Sequence, residues 1–288
     1  MNTKGVLLAG GKATRLYPLT LSTNKHLLPI FSKPMIYYSL STLMLSGIRD
    51  IIIVVDASEK TFFYSALGDG SKYGLNIEYS IQDKPDGLAS AIYSAKDKIK
   101  NHNIKVILGD NIFYGKDLEN ILSNNSKKYD ATFFTQNVNN PEGFGVLERN
   151  KDGKILKIIE KPKNYISSEA VLGLYFYNNE VIDLIEQLGK SERNELEIID
   201  LLNKYRKKKK LKAEFLGRGG AWLDTGSIDD FYNTSSFVSA LENRQGLKIA
   251  CLEEIALNYN WINKKDIKEA INFYGSCMYS NYLSKLIK

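Results

Sequence analysis

Two cysteines, two histidines and six prolines among 288 residues set the first limits. Cys251 and Cys277 sit near the C-terminus without metal-ligand spacing, so a disulfide framework is excluded and buried thiols in a reducing compartment are expected. No apolar run approaches the ~18 residues of a membrane span. The apolar stretch Val6-Leu7-Leu8-Ala9 runs into Gly10-Gly11 too soon to be the core of a signal peptide, which points to the cytoplasm. No repeat argues for an array, and no Pro/Gly/Ser linker divides the chain. Neither charge sign dominates, with 39 basic against 33 acidic side chains and a net +6. The one dense basic run, Arg206 to Lys210, continues a helical pattern without interleaved aromatics, so it reads as a solvated helix end and not a nucleic-acid surface.

What is present is ordinary globular composition, 43% hydrophobic and 25% charged, which excludes disorder. Short aliphatic runs alternate with helical periods: Gly5–Leu8, Pro34–Ser46, Ile51–Val55, Leu88–Ile99 and Ile104–Leu108. That alternation predicts an α/β fold with a parallel sheet and crossover helices. In the first helix Ile36, Leu40, Leu43 and Met44 share a face, and Gly47 stands just past the end as a left-handed cap. Beyond residue 130 the pattern is mixed. Strands are expected at Ala131–Thr135, Val171–Tyr177 and Ala213–Leu216, with a hairpin in which Asn150-Lys151-Asp152-Gly153 joins Gly145–Arg149 to Ile155–Glu160. Helices are expected near Asn179–Leu188 and Leu196–Lys207. The reading is one domain over 1–248, extended by hairpins, and a helical tail over 249–288 that belongs to that domain or to an interface.

The sharpest local signal is Leu8-Ala9-Gly10-Gly11-Lys12-Ala13-Thr14-Arg15-Leu16, directly after the first strand. Adjacent glycines there let backbone N–H groups approach a phosphate chain, and Arg15 adds a bidentate cation. The same stretch alone is also a tight turn with a surface arginine. Neither the Gly-x-x-x-x-Gly-Lys spacing of a P-loop nor the Gly-x-Gly-x-x-Gly of a dinucleotide fold is present, which argues against an oxidoreductase. Asp110 closes the strand ending at Leu108 and projects at the carboxyl edge of the sheet, where open α/β folds bind ligands. By itself it is equally a turn residue, as is Asp224 before Thr225-Gly226, and Glu160-Lys161-Pro162 alone reads as a surface turn.

Taken together, Gly10-Gly11-x-x-Thr14-Arg15-Leu16-x-Pro18-x-Thr20 and Lys25-x-Leu27-Leu28-Pro29 resemble the sugar-1-phosphate nucleotidylyltransferases. Further blocks are similar to the short-chain thymidylyltransferase branch, among them Pro85-Asp86-Gly87-Leu88-Ala89, Leu108-Gly109-Asp110-Asn111, Trp222-Leu223-Asp224-Thr225-Gly226 and Glu242-Asn243-Arg244-Gln245-Gly246-Leu247. The resemblance implies Mg²⁺ on Asp110 and Asp224, since that ion takes one or two carboxylates plus substrate phosphates. It implies nucleotide contacts from Gly10, Gly11, Ala13, Thr14, Arg15, His26, Gln82, Gly87 and Asp110, with Arg15, Lys25, Asp110 and Asp224 carrying catalysis. It implies sugar-phosphate contacts from Asn111, Gly145, Glu160, Lys161 and Tyr175. Deoxythymidine triphosphate (dTTP) and glucose 1-phosphate are the implied substrates, with deoxysugar synthesis the implied pathway. A homotetramer is also implied, with an effector site drawn from Tyr114, Gly115, Arg218, Gly219, Glu253 and Glu254. Against the family's usual glycine, glutamine, tyrosine and threonine this chain has Ala13, His26, Phe144 and Leu172. The rival expectations are a uridylyl- or cytidylyltransferase acting on another hexose 1-phosphate, and a catalytically silent nucleotide-sugar sensor.

Overall fold

The computed structural model describes residues 2–84, 86–123 and 128–288; Pro85 of the Pro-Asp-Gly-Leu-Ala block lies outside them. In chain order the strands are β1 (Thr3–Leu8), β2 (Pro29–Ile30), β3 (Lys33–Pro34), β4 (Asp50–Val55), β5 (Asn76–Ile81), β6 (Asn103–Leu108) and β7 (Asn111–Gly115). They continue with β8 (Ala131–Asn137), β9 (Gly145–Arg149), β10 (Ile155–Glu160), β11 (Glu169–Tyr177), β12 (Leu211–Phe215) and β13 (Gly220–Asp224). The helices of the first half are α1 (Ile36–Leu45), α2 (Lys60–Leu67), α3 (Leu88–Tyr93), α4 (Lys96–Ile99) and α5 (Leu118–Ser123). Those of the second are α6 (Val181–Glu186), α7 (Ile198–Lys207), α8 (Ile228–Gln245), α9 (Leu252–Asn258), α10 (Lys264–Tyr274) and α11 (Met278–Leu286).

β1 lies inside the main sheet with β4 and β6 parallel on either side, in a register that sets Leu8 opposite both Val54 and Leu108. β5 extends the parallel half beyond β4, while β11 pairs antiparallel with β6 and carries β8, β9 and their neighbours β12 and β10. The sheet is therefore mixed, with its parallel half where the βαβ periodicity was strongest.

Both faces of the central strands are covered, so their aliphatic runs are continuous. Leu7, Ile53 and Ile107 point into a core shared with α1, α2, α5 and the tail helices. Val6, Ile52, Val54 and Val106 point the other way, into a core closed by α3, α4, α6 and α7. Gly47 caps α1 at φ 78°. The expected helix over 88–99 divides into α3 and α4. Between them the Ser94 carbonyl accepts from the Ser80 hydroxyl at 2.7 Å, while the Lys98 and Ile99 N–H groups both turn to the Ala95 carbonyl, which breaks the single helical ladder. The tail forms three helices, and Leu252, Ile267 and Leu283 are fully buried against the α1 side. Both cysteines are free. Cys251 is buried as expected, whereas Cys277 is half-buried and caps α11, accepting from the Ser280 N–H.

The parallel register has one consequence for chemistry. β1, β4 and β6 end at one edge, and there they deliver Gly10-Gly11, Asp56 and Asp110 side by side.

Candidate active site

After β1 the chain turns through Gly10 and Gly11. A Cβ on Gly10 would stand 2.9 Å from Gln82 Oε1, so only glycine leaves room for the amide at the end of β5. Asp56 Oδ2 accepts the Gly11 N–H at 3.2 Å and braces the loop. Ala13 holds φ 46° and ψ 46°, a left-handed conformation that costs a residue with a Cβ about 1–2 kcal/mol. The loop then brings Arg15 back over the sheet edge. Its Nη2 and Asp224 Oδ2 both lie within 3.2 Å of the point where a Cβ on Gly226 would stand. Thr14 is exposed beside it.

Asn24 starts the short turn that carries Lys25 and His26, and its Oδ1 accepts from the His26 N–H at 3.0 Å and meets His26 Nδ1 at 2.7 Å. Burial, reinforced by the Lys25 ammonium, pushes the His26 pKa down to about 3, so the imidazole is neutral. A cavity of about 240 Å³ is lined by Gly10, Gly11, Lys25, His26, Gln82 and Asp110, among others. A second, of about 500 Å³, shares Gly11, Lys25 and Gln82 and continues past Asp56. Gly87 borders the first at φ 113°, with its Cβ position blocked by the Leu196 backbone.

Asp110 and Asp224 are 114 positions apart in sequence, yet the β7–β13 ribbon brings them together, pairing Asn111 with Asp224. The Thr225 hydroxyl donates to the Asp110 carbonyl at 2.9 Å and ties the two turns. Asn111 Nδ2 donates to Asp110 Oδ1 at 2.9 Å, and the Lys25 ammonium is bonded to Asp110 Oδ2. Burial opposes ionisation of Asp110, but the Lys25 charge and hydrogen bond hold its carboxyl well below the usual carboxylate range. Burial and then the Asp110 charge push the Asp224 carboxyl up to about 7. Among the described residues no three His, Cys, Asp or Glu side chains cluster as a metal site. A cation here would have two protein carboxylates and would take its remaining ligands from substrate.

The residues expected at the sugar phosphate line the neighbouring strands. Glu160 ends β10, and Lys161 follows at φ 41°, its N–H donating to the Phe144 carbonyl at 3.0 Å. A lysine held in the left-handed region is a local strain of the kind that gathers at functional sites. Burial raises the Glu160 pKa, countered by Lys161 and Arg193. Tyr175 is buried on β11, and burial and then the Glu160 and Asp110 charges raise its pKa. Gly145 opens β9 with Ile199 Cδ1 2.6 Å from its Cβ position. The Asn111 side chain is committed to protein: Oδ1 accepts from the Gly173 N–H at 3.0 Å and from Trp222 Nε1 at 2.6 Å. Leu172, where the family usually has threonine, is fully buried among α1-side core residues, so that departure sits in the core.

The effector set divides in two. Tyr114, Gly115, Arg218 and Gly219 surround the open end of the β7–β13 ribbon, where a Cβ on Gly115 would meet the Gly219 carbonyl at 2.7 Å. Glu253 lies on α9 with 1% of its surface exposed, and its carboxylate accepts from the Tyr274 and Tyr279 hydroxyls. Glu254 accepts from Tyr282.

Sequence reasoning passed over Asp56 and Arg193. Asp56 follows β4 as Asp110 follows β6, and that positional likeness is the signal that marks it. Arg193 grips Glu197 through Nε at 3.0 Å and Nη2 at 2.8 Å and reaches Glu160 and Glu195 at 3.4 Å, joining the sugar-side strand to the loop that packs on Gly87. Nothing in its local pattern announces that role.

The chain is 45% identical over 286 residues to the glucose-1-phosphate thymidylyltransferase of Neisseria meningitidis serogroup A, covering 99% of each. A crystal structure from Bacillus anthracis, assigned as a glucose-1-phosphate thymidylyltransferase and holding sucrose, is 38% identical and superposes with a TM-score of 0.76, over 82% of this chain and 94% of that one. UDP-glucose pyrophosphorylase complexed with UDP-glucose shares the fold alone, at 24% identity and a TM-score of 0.74 over 85% of this chain and 100% of that one. Residues 4–240, which hold the whole cleft from Gly10 to Asp224, match the nucleotidyl transferase family, and the chain belongs to that family.

Proposed function

We propose that this chain transfers a thymidylyl group from dTTP to glucose 1-phosphate, giving dTDP-glucose and pyrophosphate, the first step of dTDP-deoxysugar synthesis. The observation that carries the chemistry is the convergence of Arg15, Lys25, Asp110 and Asp224 at one sheet edge beside two connected cavities. The substrate assignment rests on the full-length likeness to a protein named for that activity.

The residues divide the work by position. Gln82 and the Gly87 backbone would receive the nucleobase, with His26 closing the floor. Gly10, Gly11, Ala13, Thr14 and Arg15 would take the triphosphate, their N–H groups and guanidinium meeting its negative charge. Glu160, Tyr175 and Gly145 would bound the sugar, Asn111 would orient Asp110, and Lys161 would hold the attacking phosphate. That phosphate has a second pKa near ~6, is largely dianionic at neutral pH and needs no general base. Lys25 is set to follow charge developing on the transferring phosphoryl group, so catalysis is positioning plus neutralisation. Asp110 and Asp224 suit a divalent cation, because burial and then the Asp110 charge drive the Asp224 pKa to about 7, and a cation between the two carboxylates would relieve both penalties. Bound there, Mg²⁺ would supply charge neutralisation on the phosphate oxygens.

The reading extends to a cytoplasmic homotetramer with the tail in the same domain and an effector site between the ribbon end and α9, and to no partnership with nucleic acid or membrane. No helix of the described residues is long and apolar enough to cross a membrane. The test is pyrophosphate release from a panel of nucleoside triphosphates against several hexose 1-phosphates. Highest kcat/KM with dTTP and glucose 1-phosphate is expected. A preference for UTP or CTP would transfer the assignment to the rival activities, and no release with any pair would leave a silent sensor.

A further inference from the structure

Beside the site assigned above lies a cavity of about 280 Å³ that none of those roles uses. One wall is an aromatic pair, Phe144 edge-on to Trp222 with ring centroids 5.1 Å apart at 71°. The Trp222 N–H is spent on Asn111, which fixes the indole, and Asp224 belongs to both the metal pair and this cavity's lining. Phe144 precedes Gly145 and its carbonyl accepts from the Lys161 N–H at 3.0 Å, so the cavity adjoins the sugar end of the site. Its far wall is amide-rich: Asn139 and Asn140 from the loop before β9, and Asn233 from α8. These three side chains are exposed and make no hydrogen bond to any other described residue, so their amides face the cavity mouth and solvent.

The chemistry narrows the occupant. No lysine or arginine lines the cavity, and Asp224 and Asp230 contribute negative charge, so an anion is excluded. Three uncommitted amides, each able to donate and accept, are poorly matched to an apolar group. A neutral hydroxylated ring satisfies both walls, setting C–H edges on the aromatics and hydroxyls against amides and carboxylates. The volume, at the lower end of small-ligand pockets, suits one ring. The geometry points to a second sugar subsite: the cavity receives a further neutral pyranose ring carried on the hexose 1-phosphate, so the acceptor class includes disaccharide 1-phosphates.

This inference rests on the nucleotidyl-transfer reading, and the test separates the two. Turnover with dTTP is compared for glucose 1-phosphate, maltose 1-phosphate and gentiobiose 1-phosphate, whose second rings leave from different positions. At least one disaccharide is expected within roughly tenfold of glucose 1-phosphate in kcat/KM. The double variant Asn139→Ala/Asn233→Ala is expected to lower that disaccharide's kcat/KM by roughly fivefold or more, the loss of two neutral hydrogen bonds, while leaving glucose 1-phosphate within about twofold. Rejection of both disaccharides by an enzyme active on glucose 1-phosphate overturns the subsite, as does an equal effect of the double variant on both substrate types. Failure with glucose 1-phosphate itself strikes the underlying activity instead.

Discussion

At Ala13 a methyl group stands where the backbone wants none. Its φ of 46° costs about 1–2 kcal/mol, and glycine would remove that strain while loosening the unfolded chain by about 0.4–1 kcal/mol. Ala13→Gly is therefore expected to stabilise by up to about 1 kcal/mol in urea unfolding; a destabilised variant would mean that the methyl packs usefully. At the carboxylate pair, Asp110→Asn and Asp224→Asn should each cut turnover at least ~100-fold with the fold retained by circular dichroism, since each removes a partner of developing charge. Near-wild-type turnover in either would refute its place in the site. The two lysines should part in kinetics. Lys161, half exposed on a strained turn, contributes binding, so Lys161→Ala should chiefly raise KM for glucose 1-phosphate. Lys25, bonded to Asp110, is set within the charge rearrangement, so Lys25→Ala should chiefly lower kcat. Equal losses in both parameters for both variants would remove this division.

Among elements, the strands and helices that follow strong periodicity were legible: β1, β4, β6 and α1 each bury a continuous or one-faced apolar set, and no later contact revises them. The β7–β13 ribbon was not. Asn111-Ile112-Phe113-Tyr114-Gly115 has no clean alternation, and its partner lies about a hundred positions on, so only tertiary pairing makes either segment a strand. That ribbon assembles the site, which is why family likeness, and not the local pattern of either segment, put the two carboxylates together. The consequence of burying Lys105 was also invisible in the sequence. On β6 its ammonium donates to the Leu122 carbonyl at 2.7 Å near the end of α5 and sits over the Phe176 ring at 4.6 Å, and among the described residues no carboxylate is paired with it. Burial lowers its pKa to about 8, against ~10.4 in the unfolded chain. Below about pH 8 it is charged in both states. Above that the unfolded chain holds the extra proton, so this contribution to stability rises with pH until the unfolded pKa is reached. Compared with Lys105→Met, the wild type is expected to gain about 2 kcal/mol in relative stability between about pH 7 and 9.5. A difference that stays flat across that window would show that the amine is not desolvated.

The whole molecule depends on how the tail is joined. Leu252, Ile267 and Leu283 are fully buried in the same core as Leu7, Leu40 and Ile53, so α9 to α11 complete a layer over the sheet instead of hanging from it. Polar contacts reinforce the seam. Lys33 and Lys248 share the Glu242 carboxylate, at 2.6 Å and 3.0 Å, and Lys248 also lies 5.9 Å from the Tyr279 and Tyr282 rings of α11. Lys33 is 3% exposed and opens β3, whose partner β2 follows the Lys25–Leu27 turn, so the seam runs from the tail to the edge of the cleft. Burial opposes the Lys33 charge and the Glu242 carboxylate sustains it, the arrangement in which losing one partner is severe. Truncation after Gly246 strips the Lys33–Glu242 pair of Lys248 and uncovers the α1-side core. The truncated chain is expected to bind a hydrophobic dye, lose cooperative thermal unfolding and lose turnover together. Light scattering on Leu283→Ala, whose cavity should cost about 2–5 kcal/mol, separates packing from assembly. A lowered melting temperature at unchanged mass assigns the tail to the core of each subunit. A fall in mass at unchanged melting temperature would assign it to the contact between subunits.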